Sequence, residues 1–282
     1  MECKTEEIYI SMIGVLLIMM RALWTAATGM GTQQSHMDVI ANNLANVNTT
    51  GFKKQRAEFE DLMYQTLRQA GAPSGANTQY PGGMQMGEGS RLSATNRIFT
   101  QGSTESTDNP TDVMVAGEGF LQITMPDGTL AYTRDGSLKL DSNRRLVTTE
   151  GYPLEPEIYI PQNAPSNTIT ISSDGRVSAM ASGTTTPDEV GQITLAQFVN
   201  PSGLMSIGNN LFQQSVASGD PIVGNPGDDG AGTLVQSSLE MSNVQIAEEM
   251  VNMIIAQRAY ETNSKAITTS DSMMEVANGL KR

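Results

Sequence analysis

The chain has 282 residues, of which 38% are hydrophobic and 5% aromatic, and its net charge is −13. That length suffices for one large or two modest domains, but so few aromatic residues predict apolar burial between segments or subunits instead of one dense core. The excess of 30 acidic over 17 basic residues argues against nucleic-acid binding, because neutralising phosphates requires clustered Lys and Arg. Cys3 is the single cysteine, so no internal disulfide can form.

The first segment, residues 1–19, is unusual. Residues 8–20 are almost uninterrupted apolar sequence, yet shorter than the roughly 20 residues that a membrane span needs. Glu outnumbers Lys in front of this run, which is the wrong charge for a signal peptide. We therefore expect residues 1–19 to be an over-extended start, with translation beginning at Met19 or Met20. The alternative is an export or anchoring signal.

Residues 20–52 have a helical pattern with a large apolar residue at every seventh position: Leu23, Met30, Met37 and Leu44. Small or polar residues lie between these in alternating steps of four and three: Ala27, Gln34 and Ala41. A seven-residue period keeps a narrow apolar stripe on one side of a helix, as in the seam of a coiled coil. The sequence therefore predicts a coiled-coil helix here.

The end of this helix is rich in asparagine, at Asn42, Asn43 and Asn46. Asn is poor in a helix interior but hydrogen-bonds well to nearby backbone. Gly51 follows and can adopt the left-handed conformation that ends a helix. We interpret the segment as a polar joint; a frayed helix end is the alternative, and the two are compatible.

Residues 53–90 are predicted to form a linker and an extended Gly/Pro-rich excursion. The portion at 52–69 suits a second helical or mixed segment, whereas 70–89 is too rich in Gly and Pro for a helix. Irregular segments of this length are usually functional or disordered. We expect a neighbouring subunit to order this one.

Residues 91–234 are predicted to form an antiparallel β-rich domain. Apolar and polar residues alternate at 120–125 and again at 129–133, and the turn sequence Pro-Asp-Gly lies between the two stretches. This pattern predicts a hairpin. Further turn signals follow at intervals typical of an antiparallel sheet. Additional strands are expected at 158–160, 168–171 and 193–199.

Residues 235–282 are predicted to form a second coiled-coil helix, beginning near Ser237 or Ser238 and ending near Asn278. Its seven-residue column contains Leu239, Ile246, Met253, Tyr260, Ile267 and Met274. The fold class is therefore α+β: long N- and C-terminal helices form a coiled-coil domain, with a central antiparallel β-rich domain and an extended Gly-rich excursion.

The sequence shows no convincing catalytic, cofactor or metal site. His36 is the single histidine, and no Gly-x-Ser-x-Gly elbow is present for a serine hydrolase. Gly-Met-Gly at 29–31 and Gly-Glu-Gly at 117–119 lack the third glycine of a dinucleotide-binding loop. We therefore predict a structural protein without cofactors and not an enzyme. A β-domain hydrolase on a coiled-coil stalk is the alternative from another class.

Four stretches carry a resemblance to a known family. Residues 41–52 read ANNLANVNTTGF, 131–136 read AYTRDG, 242–244 read SNV and 257–263 read QRAYETN. Together they resemble the bacterial flagellar rod and hook proteins, over nearly all of the chain from Met20 onward. Within that family, the chain length and the lead into the excursion resemble the distal-rod members. A hook or proximal-rod identity remains the alternative.

The resemblance implies an axial protein that is exported unfolded through the flagellar type III apparatus and crosses the periplasm as part of a hollow helical tube. The terminal helices would line the tube, and the β domain would form its outer layer. Implied partners are further copies of the chain, the proximal rod proteins, the hook protein, and the bushing rings of the cell wall and outer membrane. We assign self-assembly to the two columns and to four further residues: Asn42, Asn43, Asn46 and Met250.

Overall fold

The computed structural model describes residues 2–75, 78–165, 168–181, 187–228 and 230–279. The fold class is α+β, as predicted, and the chain forms two compact units. The helical unit combines residues 1–42, 55–96 and 247–282, so it is assembled from three separate parts of the sequence. The β unit combines residues 43–54 and 97–246.

Two long helices dominate the helical unit. Helix α1 spans Glu2–Ala45 and helix α2 spans Ile246–Gly279. The first turn of α2 carries Glu248 and Glu249, whose negative charge suits the positive end of the helix dipole. Within the described residues, neither helix combines the length and the continuous apolar sequence that a membrane crossing requires.

The predicted start of α2 near Ser237 or Ser238 is wrong. Residues Ser238–Glu240 form a strand instead, and the helix begins at Ile246. Extended backbone is favoured here because this strand pairs with Thr104–Ser106, which satisfies its backbone hydrogen bonds. The apolar spacing of the sequence could not reveal that partner.

The chain between the helices first forms a β-ribbon in the helical unit. Its strands are β1 Gln55–Asp61, β2 Gln65–Arg68, β3 Pro73–Gly75, β4 Thr78–Gln79, β5 Met84–Met86 and β6 Ser90–Arg97. They pair as nested couples: β1 with β6, β2 with β5, and β3 with β4. Of the helical or mixed segment expected at 52–69, the helical form is therefore wrong. The excursion at 70–89, expected to be extended or irregular, contains the short paired strands β3, β4 and β5, so its irregular form is wrong; residues 76–77 lie outside the described part.

The β unit contains sixteen further strands in the described chain. The first eight are β7 Thr104–Ser106, β8 Val113–Ala116, β9 Phe120–Thr124, β10 Leu130–Thr133, β11 Lys139–Leu140, β12 Leu146–Val147, β13 Leu154–Glu155 and β14 Ile169–Ile171. The others are β15 Arg176–Ala179, β16 Asp188–Gln192, β17 Leu195–Gln197, β18 Met205–Gly208, β19 Leu211–Gln213, β20 Ile222–Gly224, β21 Thr233–Gln236 and β22 Ser238–Glu240.

A seven-stranded sheet forms the centre of the β unit, with strand order β18-β19-β10-β9-β17-β20 and β13 also paired with β9. The predicted hairpin is β9–β10, with Leu121 opposite Thr133 and Thr124 opposite Leu130. Gly128 adopts a φ of 79° in its turn. The expected strands at 168–171 and 193–199 are present as β14 and β17. The strand expected at 158–160 is reduced to an isolated bridge between Arg145 and Tyr159.

The core of the β unit has an aliphatic and an aromatic part. The aliphatic part includes the fully buried residues Val113, Val115, Leu121, Ile123, Leu138, Leu146, Leu154, Ile193 and Leu195. The aromatic part is formed by Phe120, Tyr132, Phe198 and Phe212, packed with Phe99. Phe120 contributes to the second cluster and Leu121 to the first because successive strand residues face opposite sides of the sheet.

Candidate assembly surfaces

The apolar column of α1 lies on the inner side of the helix. Leu23, Met30, Met37 and Leu44 are each half-buried. The residues expected between them are exposed: Ala27, Gln34 and Ala41. Their places are taken by residues one position earlier, the buried Ala26 and Ile40 and the half-buried Gln33. The predicted positions Ala27, Gln34 and Ala41 on the inner side are therefore wrong, because small or polar residues also occur one position earlier and fit the same spacing.

The column of α2 has the same organisation. Met253, Ile267 and Met274 are half-buried, and a second column of Glu249, Ala256, Asn263 and Ser270 alternates with it. Tyr260 lies at the margin, with 38% of its surface exposed. Ile246 and Met250 are about half exposed on the first turns. Leu239 belongs to β22 and not to α2, so its predicted place in the helical column is wrong.

The two helices approach each other closely at Gly29 of α1. A Cβ atom at Gly29 would lie 2.8 Å from Nδ2 of Asn263 on α2. Because Gly29 has no side chain, the Asn263 side chain can lie close to the α1 backbone. This close approach explains a glycine in the middle of a helix. Gly29 therefore belongs to the inner side of α1, together with Ala26 and Ile40.

The asparagines lie at the end of α1. Asn42 is exposed and Asn43 is only 1% exposed. The backbone N–H of Asn46 donates to the carbonyl of Asn43 at 3.2 Å, and Thr49 Oγ1 donates to Asn46 Oδ1 at 3.2 Å. Local bonding of this kind accords with a polar joint immediately after the helix.

Gly51 adopts the expected left-handed conformation, with a φ of 67°, but it lies beyond the end of α1 at Ala45. A Cβ atom on Gly51 would lie 2.7 Å from the backbone nitrogen of Asp135. The N–H of Gly51 donates to the carbonyl of Glu240 at 2.8 Å. Gly51 therefore allows three backbone segments to meet within the β unit, and it does not terminate the helix.

Next to this contact lies a buried ionic cluster formed by Lys53, Arg134 and Glu240. Lys53 Nζ donates to Glu240 Oε1 at 2.6 Å and to the carbonyl of Thr100 at 2.8 Å. The backbone N–H of Gly102 also donates to Glu240 Oε1, at 2.8 Å. The side chains of Lys53 and Glu240 are 0% exposed. Such a pair has several well-placed hydrogen bonds to offset the cost of removing its charges from water.

Arg134 completes the cluster from the end of β10. Its Nη1 donates to Glu240 Oε2 at 3.4 Å and to the carbonyl of Val115 at 3.3 Å, and its Nη2 donates to the carbonyl of Gly117 at 2.8 Å. The guanidinium carbon lies 5.3 Å from the centre of the Phe120 ring. Arg134 thus links Glu240 to the turn between β8 and β9.

The electrostatics of the cluster are dominated by burial. Burial lowers the pKa of Lys53, and the neighbouring Glu240 carboxylate opposes that shift. Burial also lowers the pKa of the Arg134 guanidinium, again against the attraction of Glu240. The single carboxylate is thus shared by two cations that have lost their hydration, so removing it would leave both of them buried.

Asn243 connects the same segments through its side-chain amide. Its Oδ1 accepts from the backbone N–H of Lys54 at 2.7 Å, and its Nδ2 donates to the carbonyls of Ile98 at 2.9 Å and Thr100 at 3.1 Å. The chain that leaves α1 and the chain that leads into α2 are therefore tied to the same part of the β unit. Both belong to the stretches that suggested the family.

Sequence reasoning missed this ionic cluster. The sequence places Glu240 in a predicted helix and Lys53 in a predicted linker, and neither position indicates a buried ion pair. One signal in the sequence could have indicated the cluster. Arg134 follows directly after a strand of alternating residues, and a charge at a buried strand end needs a partner of opposite charge. In the described residues, no group of His, Cys, Asp or Glu side chains is arranged to hold a metal ion.

Three family models match the chain. Residues 23–53 match that of the flagella basal body rod protein, 114–179 that of the flagellar hook protein FlgE/F/G D1 domain, and 235–280 that of the flagellar basal body rod FlgEFG protein C-terminal region. A flagellar basal-body rod protein FlgG from Borreliella burgdorferi is 59% identical over 94% of this chain and 100% of its own length. The chain belongs to the flagellar basal-body rod protein family.

Two further relatives carry the same name. The protein from Buchnera aphidicola subsp. Schizaphis graminum is 53% identical over 91% of this chain and 98% of its own length. That from Bacillus subtilis is 42% identical over 94% of this chain and 100% of its own length. The chain is therefore a structural subunit of the flagellar basal body, in a family that forms the flagellar axial structure with other rod and hook proteins. Membership of a structural family implies a non-enzymatic role.

Proposed function

We propose that this chain is the distal-rod subunit and that its copies polymerise into a hollow helical shaft. The observation that carries the proposal is the pair of seven-residue columns on α1 and α2. In a single chain the α1 column is half-buried, and the α2 column is half-buried at Met253, Ile267 and Met274 and exposed at Ile246 and Tyr260, so each helix keeps apolar surface for further contacts. Narrow seams of this kind gain stability chiefly when neighbouring helices complete the packing.

The shaft must be stiff if it is to transmit torque from the motor to the hook. The buried cluster of Lys53, Arg134 and Glu240 supports this role, because it holds the chain segments next to both helices on the β unit. Charged hydrogen bonds in a dry environment have restricted geometry and resist displacement. Axial load on either helix would therefore be passed to the β unit through both connections.

The β-ribbon is a second element that we propose to act between copies. Isolated two-stranded ribbons are marginally stable in water. This one exposes large apolar side chains, with Met63 at 87% and Leu67 at 50%. The Arg68 guanidinium lies 3.8 Å from the centre of the Tyr80 ring across the ribbon, which supports its paired form. Burial of the remaining apolar side chains by an adjacent subunit would brace the shaft.

As a distal-rod subunit, the chain would contact the proximal rod proteins at one end and the hook protein at the other. The bushing rings of the cell wall and outer membrane would surround it, and the flagellar type III apparatus would export it in unfolded form. The half-buried helices accord with export, since they gain full packing only after assembly.

The test is electron microscopy of basal bodies from a strain that lacks this chain and from the same strain complemented with an epitope-tagged copy. We expect the deletion strain to form a short proximal rod without a hook, and the tag to label the rod portion adjoining the hook. Complete rods in the deletion strain would contradict a rod function. Label along the hook, or confined to the motor-proximal end, would instead assign the chain to another position in the axial structure.

A further inference from the structure

Two glycines of α1 have opposite surroundings. Gly29 faces Asn263 of the chain's own α2, whereas a Cβ atom at Gly31 would have no described atom within 4 Å apart from its neighbours and the backbone of its own helix. Residues two apart in an α-helix point about 200° apart around its axis, so the two glycines lie on opposite sides. The first glycine is explained by packing within the chain, and the second is not.

A glycine in a helix interior needs an explanation because it is among the least favourable residues there. Gly31 lies in an exposed surface that we call the Gly31 face, formed by Trp24, Ala27, Gly31, Gln34, Asp38 and Ala41. Three of these six residues, Ala27, Gly31 and Ala41, are small, which permits close approach of another helix. Trp24 is 69% exposed at one end, an unusual state for a large aromatic residue in a solvated surface.

Helix α2 carries a surface of the opposite character. Met250, Val251 and Ile254 lie on the side away from its buried column, and each is more than half exposed. We call these three residues the outer patch of α2. Met250 and Ile254, four residues apart, form a short ridge with Val251 beside it, and such a ridge fits the groove of a second helix.

We propose that the Gly31 face of one copy receives the outer patch of α2 from a second copy. This inference rests on the proposed self-assembly and identifies the surfaces that carry it. A small-residue face and a ridge of large apolar residues on the same chain are complementary but not identical, so their contact is heterologous. Repeated heterologous contacts that do not close into a ring generate a helical filament.

The charges around these surfaces favour a second copy over a membrane. Helices that lie on membranes carry Lys and Arg on their polar side. The Gly31 face instead carries Asp38, and Glu261 follows the outer patch on α2. Arg258, one turn after Ile254, is paired with Glu261 at 3.1 Å, so neither surface carries the excess of Lys and Arg that a membrane-surface helix shows.

The inference is tested by replacing Gly31 with a larger residue. In Gly31→Leu, the new side chain meets open space in the monomer but fills the proposed groove. We expect the purified monomer to melt at or above the wild-type temperature, since Leu favours a helix. Basal bodies from the variant strain should have at least tenfold fewer complete rods. Thr268→Leu adds the same side chain at an exposed position of α2 beyond the outer patch, and we expect normal rods from it.

A second variant tests the proposed occupant. Ile254→Asp places a charge on the outer patch, and we expect it to reduce complete rods to the same extent while the monomer stays folded. Normal rods in Gly31→Leu would refute the Gly31 face, and normal rods in Ile254→Asp would refute the outer patch. A lower melting temperature in the Gly31→Leu monomer would show that the face is already packed within the chain. None of these outcomes affects the proposed rod function, which is tested separately by the deletion strain and the epitope-tagged copy.

Discussion

Lys53 Nζ and Glu240 Oε1 are 2.6 Å apart, although 187 positions separate the two residues in the chain. Lys53 follows α1 and Glu240 precedes α2, so this single contact brings together the two ends of the β unit. Both side chains are completely shielded from solvent. The pair fixes where the chain enters and leaves the β unit, which local sequence preferences alone would leave undetermined.

Loss of the Glu240 carboxylate should strongly lower the stability of the folded chain. In Glu240→Gln, the charges of Lys53 and Arg134 stay buried without a counter-ion, and we expect the free energy of unfolding to fall by about 3–5 kcal/mol. The matched control is Glu189→Gln, which removes an exposed carboxylate 3.8 Å from Arg176 and should cost less than about 1 kcal/mol. Urea denaturation of both monomers measures the difference. Equal losses would show that the buried cluster has no special role in stability.

The cluster also predicts a pH dependence. Burial lowers the pKa of Lys53 from 10.5 in the folded chain, so between the two pKa values the unfolded chain binds more protons than the folded one. Stability therefore rises with pH across that window. We expect the stability of the wild type relative to Lys53→Met to increase as the pH rises from neutral toward 10.5. Urea titrations at several pH values would contradict the prediction if this difference stays constant or decreases.

Substitutions at Gly51 and Gly128 can distinguish the cost of a left-handed backbone from the cost of a steric clash. Gly51 and Gly128 have φ values of 67° and 79°, but only Gly51 lies against another backbone, at Asp135. Gly128→Ala should cost about 1–2 kcal/mol, the usual cost of left-handed backbone for an L-residue. Gly51→Ala should cost clearly more, because its Cβ atom would lie 2.7 Å from Asp135 N. Chemical denaturation tests this ranking, and equal costs would contradict the close approach.

The column of α2 is predicted to supply assembly energy. Met253→Asp puts a carboxylate on the half-buried side of the helix, where completing the seam would bury it at a cost of several kcal/mol. We expect rod growth and motility to be lost while the melting transition of the β unit is unchanged. Thr268→Asp, at an exposed position of the same helix, should be tolerated. Normal rods from Met253→Asp, or loss of the β-unit transition, would refute this role of the column.

The sequence by itself determined the features that depend on short spacing. The seven-residue period identified two terminal helices, and the Pro-Asp-Gly turn at 126–128 identified the β9–β10 hairpin. These signals succeed because the residues that interact are neighbours on one helix or strand. The motifs at 41–52 and 257–263 also pointed to the family, which the matches to known proteins then showed.

Only the tertiary structure decided the features that depend on distant partners. Ser238–Glu240 is a strand because Thr104–Ser106 pairs with it, and the segment at 65–86 is a ribbon because its two halves meet. The inner side of α1 contains Ala26 instead of Ala27, although either would satisfy a seven-residue period. The same holds for Glu240: its charge is visible in the sequence, but its burial between Lys53 and Arg134 follows from contacts that only the folded chain creates.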